Sequence, residues 1–170
     1  MARSLSLWLY LLLADRGPDR VSVARPPRPD GALLWVHAGA DCPAETLGRI
    51  TGALSAARPD LTILVTGATL PEGALDDHLL SDKAPPDRMA SVRGFLDHWK
   101  PQMGLFIGTA LPPALISVAH DRGVALVLAD LSVTADEIPV LRRGLVGSVM
   151  ARFQRILARD PRPDEVELAQ

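Results

Sequence analysis

The stretch that decides the fold is Ala32 to Thr69, ALLWVHAGADCPAETLGRITGALSAARPDLTILVTGAT. Leu33, Leu34, Trp35 and Val36 make a short apolar run between Gly31 and Gly39. Leu61 to Val65 (LTILV) makes a second, introduced by Arg58-Pro59-Asp60. Such runs read as buried strands. Between them Leu47, Ile50, Ala53, Leu54 and Ala57 recur at helical spacing and predict one apolar face. Two buried strands flanking an amphipathic helix form a βαβ unit of a parallel sheet. Ligands of such sheets gather beyond the carboxyl ends of the strands, which puts Gly39 to Glu45 and Thr66 to Pro71 at the working edge.

Outward from that unit, 170 residues with 48% hydrophobic and 22% charged content suffice for one domain with a real core. A net charge of −2 supplies no global basic field, so no nucleic-acid partner is expected. The single cysteine, Cys42, excludes an internal disulfide and a multi-cysteine metal site, and fits a reducing, cytoplasmic compartment. Residues 1–14 form an apolar amino-terminal segment. Its core, Leu5 to Leu13 (LSLWLYLLL), is shorter than the roughly 20 residues that span a bilayer, and no small-residue cleavage motif follows it. Two readings stay open: a helix packed on the domain, or a helix in the membrane interface anchored by Trp8 and Tyr10. Residues 15–30 are a Pro/Arg-rich linker, in which Pro26, Pro27 and Pro29 forbid regular ladders. Arg16, Arg20, Arg25 and Arg28 make it a solvated basic tether or an attachment to an anionic membrane surface.

Downstream, Pro71 to Asp77 reads as a turn and short helix, and His78 to Ser81 as a brief strand. Pro85-Pro86-Asp87 starts a helix whose Met89, Val92, Phe95, Leu96 and Trp99 share a face, stopped by Lys100-Pro101. Gly104 to Ile107 is a strand. A helix follows from Leu111-Pro112-Pro113 to Arg122-Gly123, with Leu115, Val118 and Ala119 inward. Val124 to Leu128 is a strand, Ile138 to Met150 a helix with Pro139 in its first turn, and Arg155 to Ala158 a last strand. The pattern predicts an α/β fold, a Rossmann-like doubly wound and mostly parallel sheet over residues 31–159, followed by a charged tail at 160–170.

Phosphate-cradling GxGxxG and GxxxxGK[ST] loops are missing, and no His-x-x-x-His or CxxC pair offers a metal site; neither metal nor cofactor is expected. His37 ends a strand, where it is either a hydrogen-bonded structural residue or a cleft residue. His98 and His120 sit near helix C-termini, which favour positive charge. The Gly39 to Glu45 loop is the best place for chemistry, because a carboxylate there could serve as a general base on an acceptor hydroxyl. Against that, Asp41 or Cys42 would cap the helix, Pro43 suits its first turn, and Glu45 complements the helix dipole.

The order WVHA, a loop and helix, ARPDLTILVTGAT, then FLDHWKPQMGLFIGTALPPALISVAHDRGVALVLADLS resembles the amino-terminal half of the bacterial 3-deoxy-D-manno-octulosonic acid (Kdo) transferases, from about Leu33 to Ala158. The apolar start resembles that family's membrane-associating segment. The resemblance implies the amino-terminal half of a GT-B glycosyltransferase. That half would take a lipid A precursor as acceptor, while a carboxyl-terminal half would bind the donor CMP-Kdo. Transfer would occur at the inner face of the cytoplasmic membrane, in lipopolysaccharide biosynthesis, without metal. The implied acceptor-side residues are His37, Gly39, Asp41, Thr66, Thr69, Gly108 and Thr109.

The family's loop reads approximately HA-x-SVGE, and its glutamate is the proposed base. Counted from His37, that glutamate falls on Pro43; Glu45, two residues on, substitutes only if the loop shifts. The family's ETELWPN reads GTALPPA here, with Gly108 and Ala110 in place of both glutamates. Its NARLS appears as Leu128-Ala129-Asp130-Leu131-Ser132. Thr66 and Thr69 keep part of a threonine-rich loop. These losses, and a chain that stops where a donor domain would begin, predict a Kdo-transferase-like domain inactive on its own. The alternative is a non-catalytic binding or scaffold module at the cell envelope. An unrelated hydrolase or transferase on this fold would need a nucleophile–base pair, which the sequence does not offer.

Overall fold

The computed structural model describes residues 5–14, 25–40, 42–109, 111–131 and 140–158. Asp41, Ala110, Arg16, Arg20, Ile138, Pro139 and the tail from 160 lie outside them. The elements run α1 (Leu5–Ala14), β1 (Leu33–Ala38), α2 (Ala44–Ala57), β2 (Thr62–Thr66), β3 (Leu79–Ser81), α3 (Met89–Trp99), β4 (Met103–Ile107), α4 (Pro113–Asp121), β5 (Ala125–Leu131), α5 (Val140–Met150) and β6 (Arg155–Ala158). The six strands form one sheet in the order β3-β2-β1-β4-β5-β6, and every pairing is parallel. The chain winds outward from β1 in one direction, then returns to β4 and winds in the other. The switch point between β1 and β4 is where such sheets open a crevice.

Strand periodicity divides the core. On β1, Leu33 and Trp35 join the larger apolar cluster, while Leu34, Val36 and Ala38 join the smaller one on the other face. The larger cluster takes Val92, Phe95, Leu96 and Trp99 from α3, Ala114, Leu115, Ile116, Val118 and Ala119 from α4, and Leu7 from α1. Each large apolar side chain buried this way contributes about 1.5–3 kcal/mol. The smaller cluster is covered by α2. Leu47 and Thr51 are its buried residues, with Ile50 and Leu54 partly covered. The expected Ala53 and Ala57 are instead exposed. The inward stripe is i, i+3, i+4, i+7, and Thr51 fits it by donating its hydroxyl to the Leu47 carbonyl at 3.0 Å.

Three other expectations change. Pro71 to Asp77 forms turns and no helix. The third helix starts at Met89, two residues later than the Pro-Pro-Asp signal suggests, because the Asp87 carboxylate caps α4 instead. The last part of the expected linker is strapped to the domain. The Arg25 guanidinium pairs with Asp82 and lies over the Phe95 ring, 5.0 Å from its centroid. Arg28 Nε donates to the Trp99 carbonyl at 2.8 Å, and Trp99 Nε1 donates to Asp82 at 2.8 Å. These two arginines therefore act on the fold.

Candidate functional site

The carboxyl ends of β1, β2 and β4 meet at the switch point. His37 lies in register with Thr66 on β2 and Phe106 on β4. Side chains at Trp35, His37 and Thr66 share one face, so the polar pair forms a cap on the larger core. Trp35 Nε1 donates to Thr66 Oγ1 at 2.8 Å, and His37 Nδ1 lies 3.0 Å from the same oxygen. The imidazole also sits among rings, 5.2 Å from Phe106 and 6.0 Å from Trp35 between centroids. His37 is 6% exposed. Burial drives its pKa from the ordinary 6.5 down to about 4, against the opposing pull of the Asp87 carboxylate. At neutral pH this histidine is uncharged.

Two glycines make the arrangement fit. Gly104 lies in register with Trp35; a Cβ there would stand 2.9 Å from Leu126 Cδ2 and 3.2 Å from the indole. Gly67, the first residue past β2, has φ +94°, and a Cβ on it would stand 2.2 Å from the Ala38 carbonyl oxygen and 3.2 Å from His37 Cε1. No side chain fits that approach. The β2 loop thus folds directly over the end of β1 and the imidazole.

The remaining expected residues are distributed along the same edge. The Gly39 amide donates to the Ile107 carbonyl at 3.1 Å, tying β1 to β4, and the Gly108 amide donates to Ala129 at 3.2 Å. Thr109 follows, exposed. Thr69 lines a separate open cavity of about 540 Å3 with Gly67, Leu75, Ser81, Asp82 and Lys83. Pro43 is the N-cap of α2 and supplies no side-chain cap; Glu45 is exposed in the first turn, where its charge complements the helix dipole. Asp41 is outside the described residues. Thus the structure joins His37 to Thr66 and sets Gly39 and Gly108 at the ends of β1 and β4 on the same edge, while Glu45 stands exposed in the first turn of α2. Among the described residues, no group of three or more His, Cys, Asp or Glu side chains could hold a metal.

Trp35 and Asp87 make contacts that the sequence does not announce. Trp35 reads as plain core, yet its indole N–H is the start of the polar chain. Asp87 reads as the start of its own helix. Its Oδ1 accepts from Leu115 N at 2.8 Å and its Oδ2 from Ala114 N at 3.2 Å and from the Tyr10 hydroxyl at 2.7 Å. No local signal marks either contact, since the partners are 27 to 77 positions away.

A wholly parallel sheet, wound both ways from a polar switch point, defines a Rossmann-type α/β domain. A family model described as 3-deoxy-D-manno-octulosonic-acid transferase (kdotransferase), for the amino-terminal glycosyltransferase domain, matches residues 15–166, and the chain belongs to that family. A 3-deoxy-D-manno-octulosonic acid transferase of Rickettsia bellii is 24% identical over 153 residues, 86% of this chain and 37% of that protein. A probable mitochondrial 3-deoxy-D-manno-octulosonic acid transferase of Arabidopsis thaliana is 32% identical over 116 residues, covering 62% of this chain and 25% of its own length. The chain therefore spans 25–37% of these two relatives. Among solved structures, the Bordetella bronchiseptica enzyme WbmH in complex with NAD+ is similar over 75% of this chain and 54% of its own, with 10% identity and a TM-score of 0.47.

Proposed function

We propose that this chain is the acceptor-side domain of a Kdo-transferase-like protein, which recognises the sugar headgroup of a lipid A precursor and does not itself carry the proton transfer. The donor CMP-Kdo would be held elsewhere. The observation that carries the reading is the occupant of the base position. Counted from His37, that position falls on Pro43, the N-cap of α2, and proline has no group that can accept a proton. Among the described residues, the switch point presents a hydroxyl, a neutral imidazole and backbone amides, which suit binding. Transfer from CMP-Kdo to a lipid A precursor, followed with labelled donor, is expected to stay at the blank level with this chain alone. Turnover above the blank that disappears in Glu45→Gln would overturn the reading and make Glu45 the base.

The location that supports this function is peripheral, on the cytoplasmic face of the inner membrane. No helix among the described residues is long and apolar enough to cross a bilayer. Yet α1, packed on α4 and α5 through Leu7, turns Leu5, Trp8, Leu9, Leu12 and Leu13 outward at 43–77% exposure. A helix with one face in the core and the other bare suits the interface of a membrane. Flotation of the full chain with liposomes is expected to be strong, and to fall severalfold in the double variant Trp8→Ser, Leu12→Ser. Equal flotation of both proteins would count against the membrane reading and favour a protein partner on that face.

A further inference from the structure

His37 has hydrogen-bonding capacity that the fold does not use. The indole of Trp35 can only donate, so Thr66 Oγ1 is the acceptor in their 2.8 Å contact. Thr66 is fully buried, and its own hydroxyl proton needs an acceptor. His37 Nδ1, at 3.0 Å, is the one available among the described residues. An imidazole that accepts at Nδ1 and is neutral carries its proton on Nε2. Trp35, Thr66 and His37 thus form a one-way relay. It consumes the lone pair at Nδ1 and leaves Nε2–H as a donor.

That donor has no partner among the described residues. The fully covered side-chain polar atoms lacking one there are Ser117 Oγ and Arg152 Nε. Nε2 is not among them and so keeps contact with solvent, although the residue is 6% exposed. The neighbouring ring carbon, Cε1, lies beneath Gly67, at the carboxyl edge where the β2 loop begins. A buried, oriented donor opening at a switch point is a group waiting for an acceptor atom.

We propose that His37 is a ligand-orienting donor of this edge, presenting Nε2–H to an uncharged hydroxyl or ring oxygen of a sugar. The proposal rests on the reading of the edge as a sugar-acceptor site. An uncharged oxygen is favoured because an imidazole whose Nδ1 lone pair is taken by the Thr66 hydroxyl is neutral, and offers an anion one hydrogen bond without a countercharge. In this state His37 cannot stand in for the lost glutamate, since neither ring nitrogen has a free lone pair to take a proton.

The test uses the full chain with nitrogen-labelled histidine and two probes: the deacylated lipid A headgroup and the same disaccharide without phosphates. NMR is expected to show the Nε2–H tautomer at neutral pH, and Thr66→Val to release it into a mixture. Both probes are expected to shift the Nε2–H signals. His37→Phe, which suits the ring cluster, is expected to weaken binding by roughly five- to tenfold, the worth of one neutral hydrogen bond. His37→Gln, which restores an N–H at that reach, is expected to recover most of it. A wild-type Nδ1–H tautomer overturns the proposal. So does probe binding that moves Thr69 and Gly108 signals but leaves Nε2–H unmoved and His37→Phe unaffected. A shift that requires the phosphates overturns the uncharged ligand. Absence of any probe-induced shift in the wild type overturns the sugar reading of the edge itself, and the proposed ligand with it.

Discussion

Acidification from pH 6.5 to about 4 is expected to remove roughly 3 kcal/mol of the folding stability through His37 alone. The unfolded chain takes a proton on this imidazole below its ordinary pKa of 6.5. The folded chain refuses that proton until the pH reaches about 4, because the ring is buried against Trp35 and Phe106. Within the window the unfolded state holds more protons, so stability rises with pH there. The contribution is complete above 6.5 and declines as the pH falls through the window. Urea unfolding of the wild type and of His37→Phe at pH 7 and pH 4.5 measures it. Carboxylates titrate in both proteins and cancel in the difference. The wild type should lose about 2–3 kcal/mol more than the variant over that interval. Equal losses would show that the imidazole titrates normally and is not held in the core.

Much of this domain can be read from its chain, and the reason is burial. Runs such as LLWV, LTILV and VALVL are apolar throughout because both faces of a doubly wound sheet are covered, and that signal is local. The helix faces follow for the same reason, with α2 showing where the method slips. Alanine is small enough to count as apolar at Ala53 and Ala57 while standing in solvent. Thr51 turns inward because its hydroxyl can return to the helix backbone. The polar edge was legible in part. His37 and Thr66 could be placed at one edge from the ends of their strands. What joins them could not, since Trp35 meets Thr66 across 31 positions and Arg25 meets Asp82 across 57. Such contacts depend on strand register and helix placement to within an ångström, which no composition or spacing encodes.

Removing the Asp87 carboxylate is expected to be the most damaging single change to a polar side chain outside the switch point. Three donors converge on it: the amides of Ala114 and Leu115 in the first turn of α4, and the hydroxyl of Tyr10 on α1. The amides are orphan groups of a helix that starts with Pro112 as N-cap, a residue with no side-chain acceptor of its own. Loss of such a cap costs about 1 kcal/mol, and loss of a hydrogen bond to a charged group a further 1.5–3. Asp87→Ala should therefore destabilise by roughly 2–4 kcal/mol in urea unfolding, and Asp87→Asn, which keeps one acceptor oxygen, by less than half of that. A second readout separates the joint with α1 from the cap. Tyr10 is the single tyrosine of the chain, and burial, its hydrogen bond to Asp87 and that residue's charge hold its hydroxyl up to about 12. Either substitution should bring its ultraviolet titration back toward 10. A Tyr10 titration that stays near 12 in Asp87→Ala, with stability unchanged, would mean that α1 and α4 are joined by apolar packing alone. The expected result makes one carboxylate the joint between the bare apolar helix α1 and the first turn of α4.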